Sequence, residues 1–277
     1  MQSAGNNILD SFSGSIILLG AGKMGQAMLE GWLARGLDAG KLIVIEPQPS
    51  TPVQDLVGRG ATLNPDHAPR AAAVVIAVKP QSTAEALPRV VASIGDATLV
   101  LSIMAGRTLD FLQRSCPAGT AVVRAMPNTP AAIGRGITVA CPNPHVSADQ
   151  RQLAGSLLAA IGSVEWITDE SLMDAVTAVS GSGPAYVFLL AEAMARAGVA
   201  AGLPPDLAER LARETVAGSG ELLRRSDQDP AMLRRNVTSP GGTTAAALEI
   251  LMGPDGFDRL LTDAIAAATR RSRELAG

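Results

Sequence analysis

Three glycines, Gly20, Gly22 and Gly25, stand between an apolar run at 15–19 and a segment of helical apolar period at 26–35. In that setting each has a task in holding a dinucleotide. Gly20 permits a tight turn, Gly22 lets the backbone approach a pyrophosphate, and Gly25 lets the helix pack closely on the strand. The helix start adds unpaired N–H groups and a partial positive charge. Leu19, Gly20, Ala21, Gly22, Lys23, Met24 and Gly25 are therefore candidate cofactor contacts. Glu46, followed by Pro47, closes the next apolar run, where an acid bonds a ribose 2′-hydroxyl and favours NADH. Ser50 and Thr51 follow closely enough to face a 2′-phosphate instead, so NADH and NADPH both stay open.

Three later apolar runs also end in residues suited to a crevice. Ala77, Val78, Lys79 and Pro80 close one run, and Lys79 with Pro80 would border the nicotinamide ribose. Ile103, Met104 and Ala105 close the next. Asn128 lies in an Arg-Ala-Met-Pro-Asn-Thr-Pro stretch at 124–130, where two prolines fix the backbone beside a candidate amide donor.

The proton chemistry on offer is sparse, and that narrows the substrate. Lysine occurs only at Lys23, Lys41 and Lys79, so the C-terminal part lacks the lysine that a hydroxyacid dehydrogenase of two-domain plan would need. The two histidines, His67 and His145, both sit in loop-forming stretches and make no acid–base pair with a carboxylate. No metal-ligand spacing is present. A cyclic imine suits such a site, because it protonates in water and arrives electrophilic, needing position more than proton transfer. A carbonyl reductase and a dinucleotide sensor without turnover are the competing readings.

The elements that must position these residues are of two kinds. From 15 to 166, apolar runs rich in Val and Ile alternate with amphipathic segments, the pattern of parallel strands buried on both faces and of a doubly wound α/β sheet. Segments 26–35, 85–91 and 150–161 read as its helices, and 163–167 as a last strand. From 167 to 277 only the 3.6-residue period remains, so this part is expected to be all-helical. Its segment 185–201 is apolar nearly all round, which implies burial in a bundle or against a second subunit.

Length and composition set the frame. A chain of 277 residues accommodates two domains, and aromatics at 3% imply helix packing by small side chains. A net charge of −3 without a basic run offers no footprint for nucleic acid or an anionic membrane. Cys116 and Cys141 read as reduced thiols, and residues 1–14 as a frayed tail that is neither signal peptide nor anchor. No run is apolar for long enough to cross a bilayer, and a cytoplasmic protein is expected.

One further segment carries a family likeness. Asn236, Val237, Thr238, Ser239, Pro240, Gly241, Gly242, Thr243 and Thr244 lead into a helical pattern, and Ser180-Gly181-Ser182-Gly183-Pro184-Ala185-Tyr186 lies upstream. Two glycines and four hydroxyls exceed what one helix cap needs. Both segments, with the strand ends at 77–80, 102–106 and 124–130, resemble those of pyrroline-5-carboxylate reductases, over nearly the whole chain.

That resemblance implies a Rossmann domain followed by an all-α dimerisation domain, dimers assembled into larger rings, and reduction of 1-pyrroline-5-carboxylate to L-proline by NADP or NAD in reduced form. It places Thr244 at the ring nitrogen and Ser239, Gly241, Gly242 and Thr243 at the carboxylate. It further puts Asn236 at the cofactor, Glu170 near the substrate ring and Tyr186 at the edge of the pocket. Members of the family frequently prefer NADPH, whereas Glu46 would repel a 2′-phosphate, so the two indications disagree.

Overall fold

The computed structural model describes residues 9–10 and 12–276. These divide into two compact units, one running up to Gly181 and regaining the chain from Thr269, the other spanning Ser182–Ala268.

The first unit is built on one eight-stranded sheet. Its strands are β1 (Ile16–Leu19), β2 (Leu42–Ile45), β3 (Thr62–Leu63), β4 (Ala73–Ile76), β5 (Leu99–Ser102), β6 (Ala121–Met126), β7 (Gly136–Pro142) and β8 (Gly162–Trp166). They lie in the order β3-β2-β1-β4-β5-β6-β7-β8. The order reverses between β1 and β4, and the carboxyl ends of those two strands open the crevice that such sheets use for ligands.

The apolar runs are explained by burial on two faces. Ile16 and Leu18 join one core with Met28 and Trp32 of the helix Lys23–Ala34 and with Leu157 and Leu158 of the helix Ala148–Ala159. Ile17 and Leu19 point the other way, into a core with Val90, Leu109 and Leu112. Successive side chains of a strand face opposite sides, so a strand covered on both sides must be apolar throughout. Trp32 anchors the first core further, its indole N–H donating to the Leu157 carbonyl at 2.9 Å.

The doubly wound sheet followed by helices is as expected, with four differences. β7 pairs antiparallel with β6, Arg124 opposite Cys141, whereas every other neighbouring pair is parallel. The short β6–β7 link, with a tight turn at Thr129–Ile133, cannot carry the crossover that a parallel pair requires. The short β3 is also new. At the N-terminus, Leu9 and Phe12 are buried in the first core, so the tail expected over 1–14 does not extend to them; residues 1–8 and 11 lie outside the described residues.

Finally, the sheet ends at Trp166 but its unit continues to Gly181. Met173 and Ala178 are buried, Met173 within the second core, and Asp174 accepts a 2.6 Å hydrogen bond from Ser272 in the chain's last helix. Packing thus carries this compact unit past the end of the sheet, as far as Gly181.

The second unit contains the helices Gly183–Ala200, Pro205–Arg225, Pro230–Asn236 and Thr243–Leu251, with most of Phe257–Ala276. The first two form a hairpin packed through small residues. A Cβ at Gly198 would lie 3.2 Å from that of Ala208, and Ala208 and Ala212 are the residues this seam buries. The helix Gly183–Ala200 has no buried residue, so its apolar circumference is not covered within one chain. Phe188 is 67% exposed and, in a later helix, Ile250 is 78% exposed. Among the described residues no helix is long and apolar enough to cross a membrane.

Candidate active site

The glycine turn after β1 is closed by contacts that only glycine permits. Gly20 has φ +92, and a Cβ there would sit 2.9 Å from the Ala77 backbone at the end of β4. A Cβ on Gly25 would come within 2.4 Å of the Gly20 carbonyl oxygen, so helix and strand meet at backbone distance. Gly20 N–H donates to the Ile45 carbonyl at 2.9 Å, and Ala77 N–H to that of Leu19 at 2.8 Å. These bonds hold the ends of β1, β2 and β4 in one rim.

Gly22 is the N-cap of Lys23–Ala34, with no side-chain cap and no acid in the first turn. A Cβ there would meet nothing within 4 Å. Open space in front of uncapped first-turn amides is what a pyrophosphate needs, so the residues present fit a dinucleotide.

Glu46 is fixed beside this turn. One carboxylate oxygen accepts from Ala21 N–H at 2.8 Å and the other from Gln48 N–H at 3.0 Å. Its backbone is clamped by the Asn64 side chain, which accepts from Glu46 N–H at 2.9 Å and donates to the Glu46 carbonyl at 2.8 Å. A pocket of about 460 Å³ opens here, lined by Gly20, Gly22, Glu46, Pro47, Lys79 and Arg89 among others. Of the expected contacts it gathers Leu19, Gly20, Gly22, Glu46, Pro47, Ala77, Val78 and Lys79, whereas Ala21, Lys23, Met24, Gly25 and Pro80 are not in its lining. Ser50 and Thr51 do not line it, and the Ser50 hydroxyl is buried without a partner. His67 is exposed and also does not line it.

The next strand ends behave differently. Ile103, Met104 and Ala105 are not part of this pocket, and the Met104 side chain is buried in the second core, 3.3 Å from the Thr83 hydroxyl. Only its backbone remains at the strand end. Arg107, just beyond, donates to the Pro80 carbonyl at 2.9 Å and stacks on Phe111, which ties the loop after β4 to the loop after β5. The Asn128 side-chain oxygen accepts from Ile137 N–H at 3.0 Å, so it closes the β6–β7 hairpin.

Glu170 has partners that sequence reading did not foresee. Its carboxylate accepts from Arg124 at 2.6 Å and from Leu109 N–H at 2.7 Å, in an ion pair whose arginine side chain is 7% exposed. It thereby ties β6 to the start of the helix Leu109–Arg114. The signal for Arg124 was a charge inside an otherwise apolar strand. Asn64 carried no comparable signal, because its role depends on a left-handed backbone, φ +47.

In the second unit the hydroxyl-rich loop forms a bare helix start. Gly241 has φ +67, the left-handed region that favours glycine. Gly242 is the N-cap of Thr243–Leu251, without a side-chain cap, and its N–H donates to the Ser239 carbonyl at 3.0 Å. A Cβ on Gly242 would press on that same carbonyl at 3.2 Å. The Thr238 hydroxyl donates to the Arg234 carbonyl at 2.7 Å, while Ser239 and Thr243 are exposed and Thr244 half-buried. First-turn amides beside three hydroxyls make a cradle for an anion. Asn236, ending the helix before the loop, donates to the Gln228 side chain at 2.9 Å, and Tyr186 is half-buried near the start of Gly183–Ala200.

Comparison with known proteins assigns both units. A family model described as pyrroline-5-carboxylate reductase dimerisation matches residues 170–275, and one described as NADP oxidoreductase coenzyme F420-dependent matches residues 15–106. A pyrroline-5-carboxylate reductase of Synechocystis is 41% identical, over 93% of this chain and 97% of its own. The Pseudomonas aeruginosa enzyme of that name is 39% identical, over 94% and 96%. Among solved structures, a pyrroline-5-carboxylate reductase from Coxiella burnetii has TM-score 0.87 at 33% identity, covering 95% of this chain and 99% of that one. A pyrroline carboxylate reductase of Plasmodium falciparum, solved with NADP bound, has TM-score 0.78 at 28% identity, covering 96% and 99%. With a glycine turn at one end, a hydroxyl-rich helix start at the other and relatives matched along nearly its whole length, this chain belongs to the pyrroline-5-carboxylate reductase family.

Proposed function

We propose that the protein reduces the cyclic imine 1-pyrroline-5-carboxylate to L-proline, the last step of proline synthesis, with NADH or NADPH as reductant. The observation that carries this reading is the uncapped start of Thr243–Leu251, whose first-turn amides stand beside the hydroxyls of Ser239, Thr243 and Thr244 and suit a small carboxylate. Gly20 and Gly22, which line the pocket, hold the dinucleotide, Gly25 lets the helix close on the strand behind them, and Lys79, followed by Pro80, borders the nicotinamide ribose. The reduced nicotinamide supplies the hydride.

The chain's own residues position the other reactant. The first-turn amide of Thr243, with the Ser239 hydroxyl and the glycine turn at Gly241 and Gly242, holds the substrate carboxylate. The favourable end of the helix dipole faces that charge. Thr244 hydrogen-bonds the ring nitrogen through its hydroxyl and orients the C=N carbon. The nitrogen keeps the proton it took from water, the carbon gains a hydride, and the product is a secondary amine, so no strong acid is required. Asn236 approaches the cofactor from a partner subunit. Glu170 acts by holding Arg124 and Leu109 rather than through the substrate.

The working form is a homodimer joined through the helical unit, with rings of dimers beyond it, in the cytoplasm. The exposed apolar face of Gly183–Ala200 and the free thiols Cys116 and Cys141 support that setting. The test is to mix the purified protein with either reduced dinucleotide and 1-pyrroline-5-carboxylate and follow nicotinamide absorbance. Oxidation dependent on the imine supports the reading; absence of turnover with both dinucleotides sinks it.

A further inference from the structure

The pocket beside the glycine turn is asymmetric in charge. On its β2 side stands Glu46, with both carboxylate oxygens already anchored, to Ala21 N–H at 2.8 Å and to Gln48 N–H at 3.0 Å. Each oxygen still has a lone pair to offer, because a carboxylate accepts about four hydrogen bonds. Those two bonds hold the carboxylate, and Asn64, just beyond β3, brackets the Glu46 backbone N–H and carbonyl from which it hangs.

No cation relieves that charge from the β2 side. From Pro47 to Gly58 the chain has no lysine or arginine, and it adds Asp55. The first cation, Arg59, lines a different groove, with Glu30 and Leu33. The cations of the pocket itself, Lys79 and Arg89, come from the β4 side, where Glu85 accompanies them. Ser50 and Thr51, the neutral donors that would have taken a phosphate, lie outside the pocket lining.

We infer that this enzyme selects NADH over NADPH, and that Glu46 is the selecting residue. This deepens the proposed function and rests on it for the dinucleotide. The Glu46 carboxylate accepts from the adenosine ribose 2′-hydroxyl at the end of β2. A 2′-phosphate in the same place meets a fixed like charge with no cation on the β2 side to pair with it, and loses more than it gains. The family likeness alone would have suggested the phosphorylated cofactor, so the inference belongs to this chain's own residues.

Binding, measured without turnover, tests it. Titration of the full-length protein with NADH and with NADPH, followed by nicotinamide fluorescence, is expected to give a Kd for NADH lower by about tenfold or more. Glu46→Gln keeps the shape and an acceptor for Ala21 N–H but removes the charge; the ratio of the two Kd values should fall several-fold, through tighter NADPH binding. The wild-type preference should also shrink at high salt, because the pocket is open to screening ions. Equal or tighter NADPH binding by the wild type overturns the inference, as does an unchanged ratio in folded Glu46→Gln. Failure to bind either dinucleotide overturns the proposed function instead.

Discussion

The two units spend their apolar residues differently. In the sheet unit Ile16, Ile17, Leu18 and Val75 are buried on faces that this one chain covers completely. In the helical unit Phe188 and Ile250 lie open, and the longest seam buries little more than alanines. Large exposed apolar surface marks a site of association. The first unit is thus a finished core, and the second is half of one that a second copy completes.

The strongest way to break this contrast is Phe188→Asp. On a self-sufficient surface such a change costs within about 0.5 kcal/mol. At the centre of a shared core it should cost roughly 3 kcal/mol or more through lost burial and a desolvated charge. We expect dissociation to monomers in sedimentation, with activity lost, while dinucleotide binding by the sheet unit persists. An intact dimer would place the shared core elsewhere.

Thr244→Ala probes the chemistry of the helical unit without touching any core. Turnover should fall about a hundredfold, the scale for removing one positioned hydrogen-bonding group. Melting temperature and dinucleotide affinity should stay close to wild type; an unaltered rate removes the hydroxyl from its role.

Glu170→Gln tests the sheet unit in its turn. It leaves Arg124, 7% exposed at its side chain, without a counter-charge. The expected loss is about 2 kcal/mol in chemical denaturation, independent of protein concentration. A concentration-dependent loss would mean that the pair supports the dimer instead.

The smallest effect is a pH dependence at Cys116, whose thiol burial pushes from 9.0 up to about 11. The unfolded thiol ionises first as pH rises. The stability from this group is therefore complete below about pH 9 and is lost between there and about pH 11. Alkylation of Cys116 in the native protein should be slow at neutral pH, and fast labelling would show that the thiol is not shielded.

How far the sequence could be read follows from the same contrast. β1, β2, β4 and β5 were legible because burial on both faces demands unbroken apolar runs. β7 was not, since Gly136, Thr138 and Pro142 interrupt its apolar residues and its pairing follows from a short hairpin link. Met104 was assigned to the crevice by position along the chain, yet its side chain turns into the core. The backbone demands of the glycine turn were legible because they are local. The partners of Glu170 were not legible, because Arg124 and Leu109 are distant in sequence and only the folded sheet brings them to it.

Asn64 gives the acid at the end of β2 an unexpected custodian. It is the sole described residue other than glycine with positive φ, a conformation that asparagine tolerates better than most. Glycine there would relieve the backbone but lose both amide bonds to Glu46; a bulkier residue would keep neither the turn nor the bonds. Cofactor preference is thus written at two positions eighteen residues apart, and relatives that keep the acid but change its clamp can drift in selectivity without altering the residue that a survey would inspect.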